Sequence, residues 1–517
     1  MAKPGEKLAA SLSQLEKLQK AGRRVFRSNE LTRVHRERLL RNGFLLEVMK
    51  GWLISSSPGS DPGDTTPWFA TFWEFCARYC TARFGSRWHL SPEQSLLLHA
   101  GNTVIPRQIV VYAPKAANNT VELPFGHSLY DLKQRQMPPE NDLCEREGLR
   151  LFVVEAALLK IPEIFYTRRP AEALVLLSGV RDASDILHRV LESGQTVIAG
   201  RIAGAFRRIG RAEVADEIVD TMKSAGFDVR ESDPFAPKQM FGALSRRVPP
   251  FVGRLRATWE ILRDPIITLF PKAPGLPQDR EAYMRSIDEI YRSDAYHSLS
   301  IEGYQVTPDL IERVRYGDWD PDENDEDRQS RDALAARGYW QAFGLVREAL
   351  REIILGGEAG GLVCAAHREW HRELFQPFVT AGLAPPSMLA GYRNDSVFLR
   401  GSRYVPPRPE IVRDAMPALF ELLEKESESS VRAVLGHWMF GYIHPYSDGN
   451  GRLARFIMNA MLASGGYPWT VIRLEDRDAY LEALEAASIE QNIEPFARFV
   501  ARRVEWSLER GAMTRGE

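Results

Sequence analysis

Residues 444 to 455 read HPYSDGNGRLAR, and their types are those that a nucleotide site requires. Gly449 and Gly451 flank Asn450 where a new helix should begin, so backbone N–H groups can point outward at a helix N-terminus, where the peptide dipole favours an anion. Gly449, Asn450 and Gly451 thus read as a phosphate cradle. Asp448 beside them offers a hard oxygen ligand for a Mg²⁺ that bridges phosphates, and Arg452 and Arg455, one turn apart, can fork onto the outer phosphates. His444, ending the preceding helix, is placed to accept a proton from an incoming hydroxyl. A plain helix-to-helix turn would account for the glycines and leave the histidine, the acid and both arginines unexplained. No GxxxxGK[ST] loop occurs in the chain, so a P-loop NTPase would need a site this sequence lacks.

The flanking stretches, VRAVLGHWMFGYI and LARFIMNAMLASGG, are both helical by period and would hold the twelve residues between them. In that context the stretch resembles the Fic motif, HPFx(D/E)GNGRxxR, and departs from it only at Tyr446, a packing position. The resemblance implies an all-α bundle with a β-hairpin flap, here GYRNDSVFLRGSRYVPP (391–407), whose strand edge a target protein would join. It further implies ATP and Mg²⁺ as cofactors and a protein adenylyltransferase that moves AMP onto a Ser, Thr or Tyr hydroxyl. His444 would be the general base, Asp448 the metal ligand, Gly449 to Gly451 the anion hole, and Arg452 and Arg455 the phosphate clamps. Tyr480 and Asn492 resemble positions that contact the adenine side.

A second match, HSLSIEG (297–303), is similar to the (S/T)xxxE(G/N) inhibitory helix of Fic proteins. It places Ser298 and Glu302 on one helical face, followed by Gly303. The resemblance implies that Glu302 pairs with Arg455 and keeps the γ-phosphate from seating. Read without it, the stretch is a helix end with Gly303 as its cap.

At 517 residues the chain exceeds one core, and the composition, 44% hydrophobic and 26% charged, is that of a folded protein. The expected class is multidomain and mainly α. The opening residues lack an apolar leader and no 18-residue stretch is free of charge, which sets a cytoplasmic location and no membrane as expectations. Four cysteines (Cys76, Cys80, Cys144, Cys364) fit neither a zinc set nor a disulfide framework and read as core residues. The net charge of −2 hides a basic head, since residues 1–50 hold 12 Lys+Arg against 5 Asp+Glu.

That head reads as a winged helix-turn-helix over residues 1–56. Its second helix presents Arg33, Arg36, Arg38 and Arg41 to DNA, and a hairpin turns at Lys50-Gly51. Residues 57–233 read as a mixed α/β part closing in helices, and residues 1–235 together resemble the AbiEi-type antitoxin and transcriptional-regulator family, on the order of elements and on SPEQSLLLHAG before IPRQIVVY. Eight prolines across 234–277 predict a linker of short pieces over 234–280, and the Fic domain follows over 281–517. The acidic run 318–329 reads as a solvated loop. HREWH (367–371) spaces two histidines for a metal, but no third ligand is evident, and an ordinary helix surface is the simpler reading. Two further functions stay open: an enzyme that mainly removes AMP, requiring Glu302, and a DNA-binding regulator that senses nucleotide through its Fic part. A homodimer is a further partner the sequence leaves open.

Overall fold

Hydrophobic residues three and four apart recur along most of the sequence, and the computed structural model turns them into helices. It describes residues 4–59, 64–235, 248–317 and 330–515. Two units emerge: Met1–Pro250 with Phe398–Val405, and Phe251–Val397 with Pro406–Glu517.

The first unit opens with helix Pro4–Leu18, strand β1 (Val25–Arg27), helix Arg33–Arg41, and the strands β2 (Leu45–Met49) and β3 (Trp52–Ser55). These strands form an antiparallel sheet of order β1-β3-β2, and the turn at Lys50-Gly51 joins β2 to β3. A small core of Leu15, Phe26, Leu31, Leu39, Leu45 and Leu53 closes it. The aromatic helix Thr66–Phe84 then packs Phe72 and Phe75 edge-on against Trp68. Beside it β5 (Gln108–Ala113) pairs parallel to β7 (His127–Lys133) in a sheet of order β4-β5-β7-β6, with β4 spanning His89–Leu90 and β6 spanning Asn119–Leu123. A hairpin of β8 (Leu143–Arg146) and β9 (Leu149–Phe152) leads into six helices ending at Ser224.

Among its described residues the second unit is built of helices and the loops between them, with no strand. Helix Arg331–Ile354 lies close against Ala359–Thr380 because Gly338 has no side chain; a Cβ there would collide with the Leu374 carbonyl. At the centre run Ser429–Ile443 and Asn450–Ala463, apolar on nearly every face and buried along almost their whole length. Their junction is the twelve-residue motif, so rigid packing fixes it from both sides.

Four expectations change. The proline-rich stretch is no string of short pieces: Pro250–Leu269 is one 20-residue helix that runs through Pro265. Its buried Phe251, Leu255, Trp259 and Leu262 outweigh the hydrogen bond that the proline removes. The rest of that stretch at 236–247, like the acidic run 318–329, lies outside the described residues. The flap 391–407 is not a β-hairpin, since none of its residues is in a strand. Pro406 and Pro407 lack N–H groups, and other carbonyls and donors bond elsewhere: within the first unit the Ile105 N–H donates to the Arg403 carbonyl (2.9 Å). Phe398 and Val405 pack on that unit's core. His367 and His371 are buried rather than on a helix surface. Of the cysteines, Cys76 and Cys80 are core residues, whereas Cys144 and Cys364 are only partly buried.

Candidate active site

The motif loop is folded by its own asparagine. Asn450 Oδ1 accepts from the Tyr446 N–H (3.0 Å) and its Nδ2 donates to the Tyr446 carbonyl (2.8 Å), so this side chain staples the turn. Gly449, at φ 85°, caps helix Asn450–Ala463, and a Cβ there would press on the Phe375 ring at 2.7 Å. His444 ends its helix in the left-handed region, φ 52° and ψ 61°. Its Nδ1 lies 3.2 Å from the Gly441 carbonyl, so that nitrogen carries the hydrogen and Nε2 keeps its lone pair. Burial, and then the Arg393 charge, depress its pKa to about 4, leaving the imidazole neutral at pH 7.

Across the loop stands the helix Arg280–Ile301, which ends on Glu302 with Gly303 in the left-handed region. Arg455 donates from Nη2 to Glu302 Oε1 (2.7 Å) and to the Ser298 carbonyl (3.0 Å), and from Nε to Ser298 Oγ (2.9 Å). The helix of HSLSIEG thus ends here, and its last turn grips Arg455. Burial works against the Arg455 charge, yet the Glu302 carboxylate more than offsets it and its pKa rises. A Cβ on Gly451 would collide with Glu302 Oε1, so that carboxylate rests against the first turn of the motif helix, where an anion is favoured.

Comparison with known proteins bears on this geometry. The Fic/DOC family model matches residues 363–462. Those residues are a Fic domain. A protein adenylyltransferase Fic of Nematostella vectensis is 33% identical over 241 residues, 46% of this chain and 52% of its own length. Protein adenylyltransferase fic-1 of Caenorhabditis elegans is 31% identical over 151 residues, 28% of each chain. The chain thus spans about half the length, or less, of these relatives. Among solved structures, Fic-1 (residues 134–508) from C. elegans covers 64% of this chain and 93% of its own, with 20% identity and a TM-score of 0.38.

In the Fic domain Arg452 is buried, its guanidinium over the rings of Phe375 (4.9 Å) and Tyr304 (5.4 Å). Its Nε and Nη1 have no hydrogen-bond partner, and Nη2 reaches Asp448 Oδ1 only at 3.6 Å. A buried cation with spare donors suits an incoming phosphate. Asp448 keeps its side chain 50% exposed, open to a metal ion, although among the described residues no cluster of three or more His, Cys, Asp or Glu could hold one by itself. Tyr480 is buried with its hydroxyl 2.9 Å from His437 Nε2, and Asn492 is exposed and its Oδ1 accepts from the Glu494 N–H.

Two supports went unread in the sequence. His371 stacks on Tyr446 (3.7 Å between centroids, 9° between planes), and its Nε2 lies 3.2 Å from the Asp448 carbonyl. Arg393 binds the carbonyl of His444. The spacing of HREWH held the first signal, misread as a surface; Arg393 carried none. In the first unit the four arginines divide. Arg33 and Arg41 are exposed, Arg33 pairing with Glu37 (2.7 Å), while Arg36 Nη1 donates to the Ser28 carbonyl (2.9 Å) and Arg38 Nη1 to the Lys7 carbonyl (2.7 Å) and Ser11 Oγ (2.8 Å).

Proposed function

We propose that this chain is a protein adenylyltransferase held at rest by its own Glu302. The observation that carries the reading is an acid in an anion's place: the Glu302 carboxylate rests at Gly451 and on Arg455, where a nucleotide phosphate would bind. With Glu302 withdrawn, Arg452 and Arg455 would clamp the outer phosphates of ATP and the N–H groups of the motif helix would receive the rest. Mg²⁺, held by Asp448, would neutralise phosphate charge. His444 Nε2 takes the proton of the target hydroxyl, whose oxygen bonds to the α-phosphorus as the bond to the β-phosphate oxygen breaks. AMP stays on the target and pyrophosphate leaves. The segment 391–407 offers the docking place for that target. The basic head, residues 1–56, is the DNA- or partner-binding module, with exposed Arg33 and Arg41 its first contacts.

Wild type, Glu302→Gly and Glu302→Gly/His444→Ala are incubated with α-labelled ATP and Mg²⁺, and label on protein is read. Label from the single variant alone supports the proposal; equal label from wild type and Glu302→Gly removes the inhibitory role. An AMP-modified protein supplied as substrate tests the opposite reaction, which would lose rate in Glu302→Gly.

A further inference from the structure

Arg393 stands outside the twelve-residue motif, buried at 4% exposure. Its guanidinium ends on backbone carbonyls: Nε donates to His444 (2.7 Å), Nη1 to Asp395 (2.8 Å) and Nη2 to Pro407. Its own N–H donates to the Pro445 carbonyl (2.9 Å). One residue therefore ties the peptide of His444, the peptide after it, and both ends of the segment 395–407. A planar guanidinium fixes each acceptor in direction as well as distance, which an ammonium on a flexible stem does not.

His444 needs such fixing. It holds φ 52° without being glycine, a conformation that side chains rarely adopt unless their surroundings impose it. Among the described residues its ring has one hydrogen-bond anchor, the 3.2 Å approach of Nδ1 to the Gly441 carbonyl. If φ moved out of the left-handed region, rotation about N–Cα would swing Cβ together with the carbonyl that Arg393 holds and carry Nε2 off its line. We propose that Arg393 is a positioning residue for His444, and that through the same guanidinium it sets the base of the 391–407 segment relative to the histidine. This rests on the adenylyltransferase reading above. A target hydroxyl presented beside Asp395 and Pro407 would thereby meet Nε2 at a fixed place, and proton transfer is sensitive to such placement.

The test uses the full chain with Glu302→Gly as parent, into which Arg393→Ala and Arg393→Lys are built. Label transfer, ATP affinity by calorimetry, Tm, and ¹⁵N-histidine spectra with His444 assigned through His444→Gln are measured. Arg393→Ala should lower the transfer rate about 100-fold while ATP affinity holds. Free guanidinium should restore part of the rate, Lys should not, and the His444 signal should lose its single Nδ1–H tautomer. A transfer rate equal to the parent's overturns the proposal, as does a lost rate that follows lost ATP affinity and lost Tm without rescue. A parent that transfers no label would sink the adenylyltransferase reading. The histidine spectra would then still decide the positioning role, an unchanged His444 signal in Arg393→Ala refuting it.

Discussion

An alanine at position 451 sets two contributions against each other. The site lies in the first turn of helix Asn450–Ala463, where alanine gains up to about 1 kcal/mol over glycine. Its Cβ would displace Glu302 Oε1 and stand 3.3 Å from Arg455 Nη1. A carboxylate is the end of a flexible side chain, so the cost is no rigid clash but the lost charge-assisted bond to Arg455, about 1.5–3 kcal/mol. Arg455 would keep its two bonds to Ser298. Gly451→Ala should therefore destabilise the wild type by about 0.5–3 kcal/mol and stabilise Glu302→Gly by up to about 1 kcal/mol. The four proteins of this cycle are compared by scanning calorimetry, where a coupling of that size separates the two backgrounds by roughly 3–12 °C. A shift of the same sign and size in both would mean that Glu302 does not rest on Gly451.

Removing the base, His444→Ala in Glu302→Gly, should lower label transfer by about 10²–10⁴ with circular dichroism unchanged; retained transfer would assign the proton elsewhere. In the same parent, loss of Glu302 removes a charge that raises the His444 pKa, so transfer should stay flat from pH 8 to 6 and fall only as pH approaches about 4, whereas a midpoint near 6.5 would contradict the burial of that ring. Burial depresses His367 to about 4 and His371 and His437 to about 3. Their folded values lie below the unfolded one, so the unfolded chain binds protons first and stability is lost as pH falls below about 6.5, by about 2 kcal/mol per histidine at pH 5. The urea midpoint should drop between pH 7 and 5, and a constant midpoint refutes this. On the proposed DNA-binding reading, Arg33→Ala and Arg41→Ala should each reduce the salt slope of duplex binding by about 1 without moving Tm, and a wild type that binds no duplex refutes that reading. Arg38→Ala should cost about 1–2 kcal/mol, because its bonds to Lys7 and Ser11 hold the helix; equal Tm for all three would remove that distinction.

Most of the site was legible because its chemistry sits in twelve consecutive residues, and a helix terminus brings such residues together without help from the rest of the chain. Glu302 was legible as well, since its match spans one helical turn. His371 and Arg393 were not. Each acts on a backbone carbonyl, of Asp448 and of His444, across 77 and 51 positions, and a carbonyl leaves no trace in residue type. The flap failed for a related reason. Alternating Val397 and Leu399 before Gly401 satisfied a hairpin pattern, but the Arg403 carbonyl is taken by Ile105, far off in sequence, and the Asp395 and Pro407 carbonyls by the Arg393 guanidinium, a side-chain donor that backbone alternation does not show. Proline density misled over Pro250–Leu269, where buried aromatic and leucine side chains decide more than one missing N–H.

By itself the sequence determined which groups could meet a nucleotide: a histidine, an acid, glycines at a helix start and two arginines at fixed local spacing. Only the tertiary structure decided their state. It buried the histidine rings and so made them neutral, it set Glu302 against Gly451 and onto Arg455, and it left Arg452 with donors unspent. Burial and long-range pairing set charge and access, and neither is a property of neighbours along the chain.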